Sequence, residues 1–323
     1  MPPPSLCILG SINMDLVVRA PSLPTPGQTL LGGPFDTLPG GKGANQAVAA
    51  ARAGASVAMI GMTGRDDFGS RMRAVLAENA VSLAAVGTAD TAPTGVALIT
   101  VADDTSDNTI IVAPGANALV TPNHVDRAAG AIISADVLLM QLEVPLAAVT
   151  RAAQIAKDAG VTVMLNAAPA AKLPWDLLAA LDVLIVNQSE AAHIVAAATM
   201  GGDPDEVARR PVEDQLDAIE RLGVSCAVMT LGADGAAVSR SRSTRRVSTF
   251  AVEAVDTVGA GDAFCGVFAA RWAEHQASSS LDADAIIDAA TWACAAGALA
   301  TTRRGAIPSI PQRSEIIRLL CSR

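Results

Sequence analysis

The chain has 323 residues, enough for one large α/β domain or two domains, and this length excludes a miniprotein that depends on disulfides or a metal to fold. Hydrophobic residues make up 51% of the sequence and charged residues only 17%, a composition opposite to that of disordered chains. The formal net charge is −9, and no basic stretch is interleaved with aromatic residues, so a nucleic-acid partner is not expected.

Cysteine usage and the N-terminal residues bear on the compartment. The number of cysteines is odd, and none are spaced as in a zinc site or a redox pair: Cys7, Cys226, Cys265, Cys294 and Cys321. The apolar run at residues 6–9 is short and has no basic region before it, so we expect neither a signal peptide nor a membrane span. These features favour a cytoplasmic protein.

Several catalytic motifs are absent from the sequence. Lys42, Lys157 and Lys172 are the only lysines, and none precedes Ser or Thr as in a P-loop. No H-R-D or D-F-G string of protein kinases occurs, nor a G-x-S-x-G elbow of hydrolases. Neither of these kinase architectures therefore applies.

Short apolar runs alternate with alanine-rich stretches along the first two thirds of the chain. The runs predict strands at residues 6–9, 57–60, 137–140, 161–165, 183–186 and 227–230. The stretches between them predict helices at 46–53, 67–79, 146–159 and 190–198, and further helices follow at 263–275, 282–300 and 312–320. The alternation predicts an α/β fold, a doubly wound and mostly parallel sheet sandwiched by helices.

Two stretches interrupt this alternation. Residues 15–37 contain four prolines, and strand-like runs at 96–101 and 109–112 surround a polar turn at 102–108. We interpret them as a small β-rich lid, formed by about residues 12–38 and 95–113, inserted within a single domain that spans residues 1–323. The charged stretches 201–215 and 240–246 are predicted to be exposed loops.

The sharpest motif is V-D-T-V-G-A-G-D-A-F at residues 255–264. Glycines before a helix let backbone N–H groups converge on an anion, and the helix N-terminus adds positive charge there. Gly259, Ala260 and Gly261 therefore predict an anion hole, and Asp262 is placed to accept a proton from an attacking hydroxyl. The alternative is a glycine-rich turn in which Asp262 caps the helix.

Two further motifs suit a polyhydroxylated ligand. The string L-P-G-G-K-G-A-N-Q at residues 38–46 combines close backbone approach with an ammonium and an amide. The alternative, which the motif taken alone favours, is a loop whose glycines form tight turns and whose Lys42 is solvated. Asn13 and Asp15 follow the first strand and would face one side of an extended chain. The alternative there is an Asx turn at the surface.

The strings G-G-K-G-A-N-Q-A at 40–47 and D-T-V-G-A-G-D at 256–262 resemble the two signatures of the PfkB carbohydrate kinases. Shorter strings at residues 10–13, 24–27, 94–97, 139–143 and 302–306 are similar to those of the ribokinase branch of that family. The resemblance covers nearly the whole chain. It implies phosphorylation of D-ribose at O5 by ATP with Mg²⁺, giving D-ribose 5-phosphate and ADP.

The same resemblance implies roles for individual residues. Asp262 would be the general base, and Gly259, Ala260 and Gly261 would form the anion hole. The ribose hydroxyls would be held by a set of polar residues and one glycine: Asn13, Asp15, Gly41, Lys42, Asn45, Glu143 and Asp262. The nucleotide and magnesium side would involve Asn187, Glu190, Thr230, Gly232, Gly235, Gly261 and Cys294. Residues 230–235 could also be a plain β-hairpin, and Cys294 a small buried apolar residue.

By resemblance, a potassium ion would lie beside the active site. Its ligands would be oxygens of Asp256, Val258, Ala300, Arg303, Gly305 and Ser309, which suit a hard cation. The alternative is a salt bridge from Asp256 to Arg303 or Arg304. In similar proteins the lids of two subunits pack together, so a homodimer is expected.

Other functions remain open on the sequence. The same chemistry could act on 2-deoxyribose, a ketose or a nucleoside such as adenosine, because one pocket residue can change a hydroxyl preference. A non-catalytic sugar-binding protein on the same fold is a further alternative. Asp262 and the glycines at 259 and 261 are present, which favours an enzyme.

Overall fold

The structure is a computed structural model that describes residues 2–104, 108–199, 202–278 and 281–322. The apolar runs rich in Val, Ile and Leu form its strands, as expected for side chains that pack well on a pleated surface. The strands are β1 Ser5–Leu9, β2 Asn13–Ala20, β3 Phe35–Gly40, β4 Ser56–Gly64, β5 Val81–Ala89, β6 Gly95–Ala102, β7 Asn108–Ala113, β8 Val137–Met140, β9 Thr162–Asn166, β10 Val183–Asn187, β11 Cys226–Thr230, β12 Ala236–Arg240 and β13 Ser243–Val247.

The helices contain most of the alanine of the chain, the residue with the highest intrinsic helix propensity. They are α1 Lys42–Arg52, α2 Asp67–Glu78, α3 Pro122–Arg127, α4 Ala129–Ile133, α5 Leu146–Asp158, α6 Trp175–Ala180, α7 Gln188–Ala198, α8 Pro204–Ala208, α9 Val212–Glu220, α10 Ala260–Ala277, α11 Ala283–Ala300 and α12 Arg313–Leu320.

Nine strands form one sheet in the order β13-β12-β11-β10-β9-β8-β1-β4-β5. The strands from β11 to β5 are parallel to their neighbours, whereas β12 and β13 run antiparallel at one edge. Polar residues stand at the carboxyl ends of adjacent parallel strands, where ligands bind in folds of this kind. They are Gln141 after β8, Asn166 in β9, Asn187 in β10 and Thr230 in β11.

Each face of this sheet has its own apolar core. Leu6 and Ile8 of β1 point into a core with α1, α2, α10, α11 and α12, while Cys7 and Leu9 point into a second core with α3 to α9. Successive side chains of a strand face opposite sides, so a strand buried on both faces must be apolar throughout. The predicted doubly wound α/β fold, sandwiched by helices, is confirmed.

Within the described residues, α11 is the one helix with the length and hydropathy of a membrane span. More than half of it is buried inside the protein. Ala289, Ala290 and Ala293 are fully buried, and the helix packs along α10. Helix α11 is therefore a core helix of the protein.

A second sheet of four strands, in the order β3-β2-β6-β7, comes from the two stretches that interrupt the alternation. Strands β2 and β6 are parallel, and the outer pairs are antiparallel. This smaller sheet fits a lid. Of the polar turn predicted at 102–108, residues 105–107 lie outside the described part of the chain.

Several predicted boundaries are wrong. Helix α1 begins at Lys42, four residues before the predicted start, because Gly41 takes a conformation that caps it. The stretch 201–215 is not a loop throughout: Asp203 caps α8, and Val207 and Val212 bury their side chains, while residue 201 lies outside the described ranges. The stretch 240–246 is a hairpin of β12 and β13, turned by Ser241 and Arg242 at positive φ.

Candidate active site

The site begins where β3 enters α1. Gly41 has φ 92°, and an added Cβ would lie 2.6 Å from the backbone nitrogen of Asn13, so a side chain there would be both strained and obstructed. This close approach brings the first turn of α1, with Lys42 and Asn45, against β2. The segments that contain Asn13 and Lys42, two of the residues predicted to bind the sugar, therefore lie side by side.

Asp262 lies in the first turn of α10 and is buried. The helix begins after Gly259, which has φ 79° and would meet the Cα of Ala306 at 2.9 Å if it carried a Cβ. Asp262 is not the N-cap, so that alternative is wrong. First-turn N–H groups of a helix have no intrahelical acceptor, and Gly261 and Asp262 carry two of them.

Four charged side chains form a group: Asp15 in β2, Lys42 in α1, Glu143 in the connection after β8 and Asp262 in α10. The pKa of Asp15 is raised to about 7, first by burial and then by the charges of Glu143 and Asp262, while Lys42 opposes them. For Lys42, burial lowers the pKa, but Asp262, Glu143 and other acidic groups outweigh burial and the net shift is upward. Lys42 therefore lies among the carboxyl groups of Asp15, Glu143 and Asp262.

Amide and hydroxyl side chains that received no role in the sequence analysis hold this cluster in place. Asn117 donates from Nδ2 to Oδ1 of Asn13 at 2.6 Å, and its own Oδ1 accepts from the backbone of Ile12 at 2.9 Å. Ser11 Oγ donates to Glu143 Oε2 at 2.6 Å. Ser11 stands in a motif, whereas no signal in the sequence marks Asn117.

The general-base candidate also has defined partners. Asp262 Oδ2 accepts from Asn45 Nδ2 at 2.8 Å, and Oδ1 accepts from Gln46 Nε2 at 2.9 Å. Oδ1 of Asn45 is buried and has no hydrogen-bond partner among the described residues. A buried acceptor without a donor is costly, so a ligand hydroxyl placed there would satisfy it.

Glu190 faces the same pocket from α7. Asn187 and Glu190 form a capping box, in which Asn187 Oδ1 accepts from the Glu190 backbone and Glu190 Oε2 accepts from the Asn187 backbone, both at 2.8 Å. Burial raises the pKa of Glu190, and this effect exceeds the opposing hydrogen bond from Asn187 and the charge of Lys42. The site would therefore favour a cation near Glu190.

Two cavities meet at the start of α10. The larger, about 430 Å³, lies between the β11–β12 connection, α10 and α11, and is mostly apolar. The smaller, about 220 Å³, is polar and contains Lys42, Glu190 and Asp262. Both are lined by Thr230, Thr257 and Gly261, so the predicted anion hole stands at their junction.

The larger cavity contains the remaining residues of the predicted nucleotide side. Thr230, Gly232, Gly235 and Cys294 line it. The turn at 230–235 does connect two antiparallel strands, so it is a hairpin and a cavity wall at once. Cys294 is buried, and the side chain bounds the cavity from α11.

The residues predicted for a potassium site lie just outside these cavities. Asp256 accepts from the backbone of Val258 at 3.0 Å and of Gly305 at 2.9 Å, which ties the segment before the anion hole to the loop after α11. Ser309 Oγ donates to the Ala306 carbonyl. Arg303 pairs with Glu315, and in the described part of the chain Asp256 forms no ion pair, so the salt-bridge alternative is wrong.

Comparison with known proteins agrees with this geometry. The chain is 39% identical to the ribokinase of Haemophilus influenzae, over 98% of each chain. It is 32% identical to the deoxyribokinase of Salmonella typhimurium, covering 97% of this chain and 99% of that protein. The structure of Arabidopsis thaliana ribokinase complexed with ribose and ATP superposes with a TM-score of 0.85 at 30% identity, and 99% of both chains is covered.

The family model for the pfkB family carbohydrate kinases matches residues 3–313 of this chain. The match includes both glycine-rich motifs and both cavities, and nearly all of the sheet and its helices. The chain belongs to the pfkB family of carbohydrate kinases.

Proposed function

We propose that this protein transfers the γ-phosphoryl group of ATP to O5 of D-ribose. The observation that carries the proposal is the position of Gly261, at the junction of an apolar cavity sized for a nucleotide and a polar cavity containing Asp262. A phosphoryl group passing between two ligands needs such a junction, with backbone donors on one side and a base on the other. The full-length similarity to ribokinases supports ribose as the sugar.

In this proposal Asp262 accepts the proton of the 5-hydroxyl as O5 attacks the γ-phosphorus. The bond from that phosphorus to the β,γ-bridging oxygen breaks, and ADP leaves. In the anion hole at 259–261, the backbone N–H of Gly261 in the first turn of α10 stabilises the charge on the transferred group. The sugar hydroxyls bind a group of residues that adjoins Asp262, of which Lys42 also lines the smaller cavity: Asn13, Asp15, Gly41, Lys42, Asn45 and Glu143.

The same proposal places Mg²⁺ on the side of Asn187 and Glu190. The residues fit a hard cation, because Glu190 supplies a carboxylate whose pKa is raised by burial and which faces the smaller cavity. When bound with ATP, the ion would neutralise phosphate charge. Asn187 and Glu190 would supply oxygen ligands to the ion, and Lys42 would supply further positive charge.

A monovalent cation, K⁺, is proposed at Asp256 with oxygens of Val258, Ala300, Arg303, Gly305 and Ser309. The residues fit, because the donor set consists only of oxygens and Asp256 already joins two of the contributing segments. A cation there would hold the backbone that leads into Gly259. We further propose a cytoplasmic homodimer that associates through the lid sheets.

The deciding experiment measures ADP release with MgATP and a panel of D-ribose, 2-deoxy-D-ribose, D-fructose and adenosine. We expect D-ribose to have the highest kcat/KM, because a site built to bind a hydroxyl discriminates strongly against an analogue that lacks it. The second candidate is 2-deoxyribose, favoured by the 32% identity to a deoxyribokinase. A higher kcat/KM for 2-deoxyribose would select it over ribose.

Asp262→Asn is the control for this assay. It keeps the shape of the side chain but removes the base, so kcat should fall by roughly 10²- to 10⁴-fold. Wild-type kcat in this variant would contradict the assignment of Asp262. Release of ADP with none of the sugars would favour a non-catalytic sugar-binding protein.

A further inference from the structure

A chain of buried amide side chains crosses the carboxyl ends of the central strands and ends on Asp262. Asn166 Nδ2 donates to the carbonyl of Ile185 at 3.3 Å. Gln46 Nε2 donates to Asn166 Oδ1 at 3.0 Å and to Asp262 Oδ1 at 2.9 Å. Gln141 Nε2 donates to Gln46 Oε1 at 2.5 Å, and both glutamines are fully buried.

A backbone carbonyl sets the direction of every hydrogen bond in this chain. The oxygen of Ile185 can only accept, so Asn166 must turn its NH₂ group toward it and its oxygen toward Gln46. Gln46 then has both amide hydrogens in use, one on Asn166 and one on Asp262. Reversing Gln46 would place its oxygen against two acceptors, which is unfavourable in a buried site.

The carboxylate of Asp262 is thereby held at both oxygens. Oδ1 is held by Gln46, and Oδ2 by Asn45. Each oxygen can accept more than one hydrogen bond, so the carboxylate keeps free acceptor capacity in a fixed plane. The direction from which Asp262 can receive a proton is therefore set by the side chains of α1.

We propose that Gln46 is a positioning residue, which orients Asp262 toward the sugar hydroxyl without contacting the substrate. The inference rests on the proposed kinase function. Without the Gln46 donor, the carboxylate keeps its charge but can rotate about its Cβ–Cγ bond. A displacement of about 1 Å in a reacting group costs on the order of 10²-fold in rate.

The first test is Gln46→Met, which keeps the length of the side chain and removes the amide. We expect kcat to fall by about 10- to 100-fold, whereas KM for the sugar and for ATP changes by less than about threefold. Gln215→Met is the matched control, because Gln215 is also buried and donates to a carbonyl, of Arg210, but lies outside both cavities. Its kcat should equal that of the wild type.

The second test repeats Gln46→Met in the Asp262→Asn background. If Gln46 acts through Asp262, the substitution costs less than about twofold in kcat there, because the group that it orients is already lost. A general structural role would instead lower kcat by the same factor in both backgrounds. Equal factors would overturn the proposal.

Folding is checked by circular dichroism and thermal unfolding. If Gln46→Met does not fold, Gln46→Glu tests the proposal instead. Glutamate has the same shape as glutamine but turns an acceptor toward Asp262, so kcat should fall at least about tenfold. A wild-type kcat in the folded variant would overturn the positioning role alone. Any sugar that the wild-type enzyme phosphorylates serves for the assay, and an enzyme that phosphorylates none would overturn both proposals.

Discussion

Asp15, in the proposed sugar site, has a strongly shifted pKa. Burial raises its pKa to about 7, and Glu143 and Asp262 contribute in the same direction. Asp15 shares a face of β2 with Asn13, since alternate residues of a strand point the same way. Sugar hydroxyls that donate to the carboxylate would favour its ionised form, so sugar binding should strengthen as the pH rises through 7.

The raised pKa of Asp15 predicts a pH-dependent stability in the absence of sugar. The unfolded pKa is about 3.9, so between about pH 4 and 7 the folded protein binds more protons than the unfolded chain. The contribution of Asp15 to the free energy of unfolding therefore falls as the pH rises across this window. Asp15→Asn lacks this titrating carboxyl group. Its free energy of unfolding should therefore increase relative to that of the wild type as the pH rises.

Urea unfolding of both proteins at about pH 5 and about pH 8 measures this difference. Asp90→Asn is the control, because Asp90 lies at the surface beside Arg65 and should show no such trend. A stability difference between Asp15→Asn and the wild type that is the same at both pH values would contradict the prediction.

Among the elements, the two helices that begin at glycine-rich motifs both start a few residues before their predicted positions. Helix α10 begins within a few residues of its predicted start, because the apolar run after Asp262 continues without a break. Helix α1 begins four residues before its predicted start. Gly43 lowers the intrinsic helix propensity of this first turn, so the local pattern did not indicate a helix there. An added Cβ at Gly43 would meet the backbone of Gly10 at 2.6 Å, so packing against β1 selects glycine there.

The segment from Asp256 to Gly259 carries a prediction about monovalent ions. Asp256 ties this segment to the loop that contains Gly305, and the segment leads directly into the proposed anion hole. The rate should rise severalfold when K⁺ replaces tetramethylammonium at constant ionic strength, since oxygen ligands suit K⁺. Asp256→Asn should lose this response, because the amide removes the charge that the cation would neutralise.

Asp90→Asn should keep the full response to K⁺, and so separates a local effect from a general loss of surface charge. Equal rates of the wild-type enzyme in both salts would refute the cation site. If Asp256→Asn kept the K⁺ response, the cation would have to bind at a site that does not depend on Asp256.

At the scale of the whole molecule, the lid sheet leaves an apolar surface uncovered. Phe35, Leu98 and Ile111 are 62%, 47% and 62% exposed. Leu98 pairs with Ile111 and with Leu16, and Phe35 pairs with Val18, so these side chains share one face of the sheet. An exposed apolar patch of this kind is typical of a protein interface.

The proposed lid dimer can be tested on that face. The double variant Leu98→Lys and Ile111→Lys should convert the dimer to a monomer, because charges opposite each other cannot be buried without partners. Size-exclusion chromatography with light scattering measures the mass. Ile133→Lys, at an exposed position of α4, is the control and should remain dimeric. A monomeric wild type, or a dimer that survives the double variant, would refute this interface.

Much of the architecture follows from local pattern. The runs at 6–9, 137–140 and 183–186 are continuously apolar because their strands are covered on both faces, and this property is visible in the sequence. The edge strand β13 was not predicted, since its Arg245 and Arg246 pair with Asp284 and Glu213 at a solvated edge and interrupt the apolar pattern. Residues 81–89 were missed because small and polar side chains dominate β5.

The sequence by itself determined the α/β class, the two glycine-rich motifs and the family, because these depend on local periodicity and on residue order. Only the tertiary structure decided which side chains hold one another. Asn117 meets Asn13, and Gln141 meets Gln46, across about a hundred residues of chain. Such contacts are set by the order of parallel strands, and a local pattern contains no information about a partner that distant.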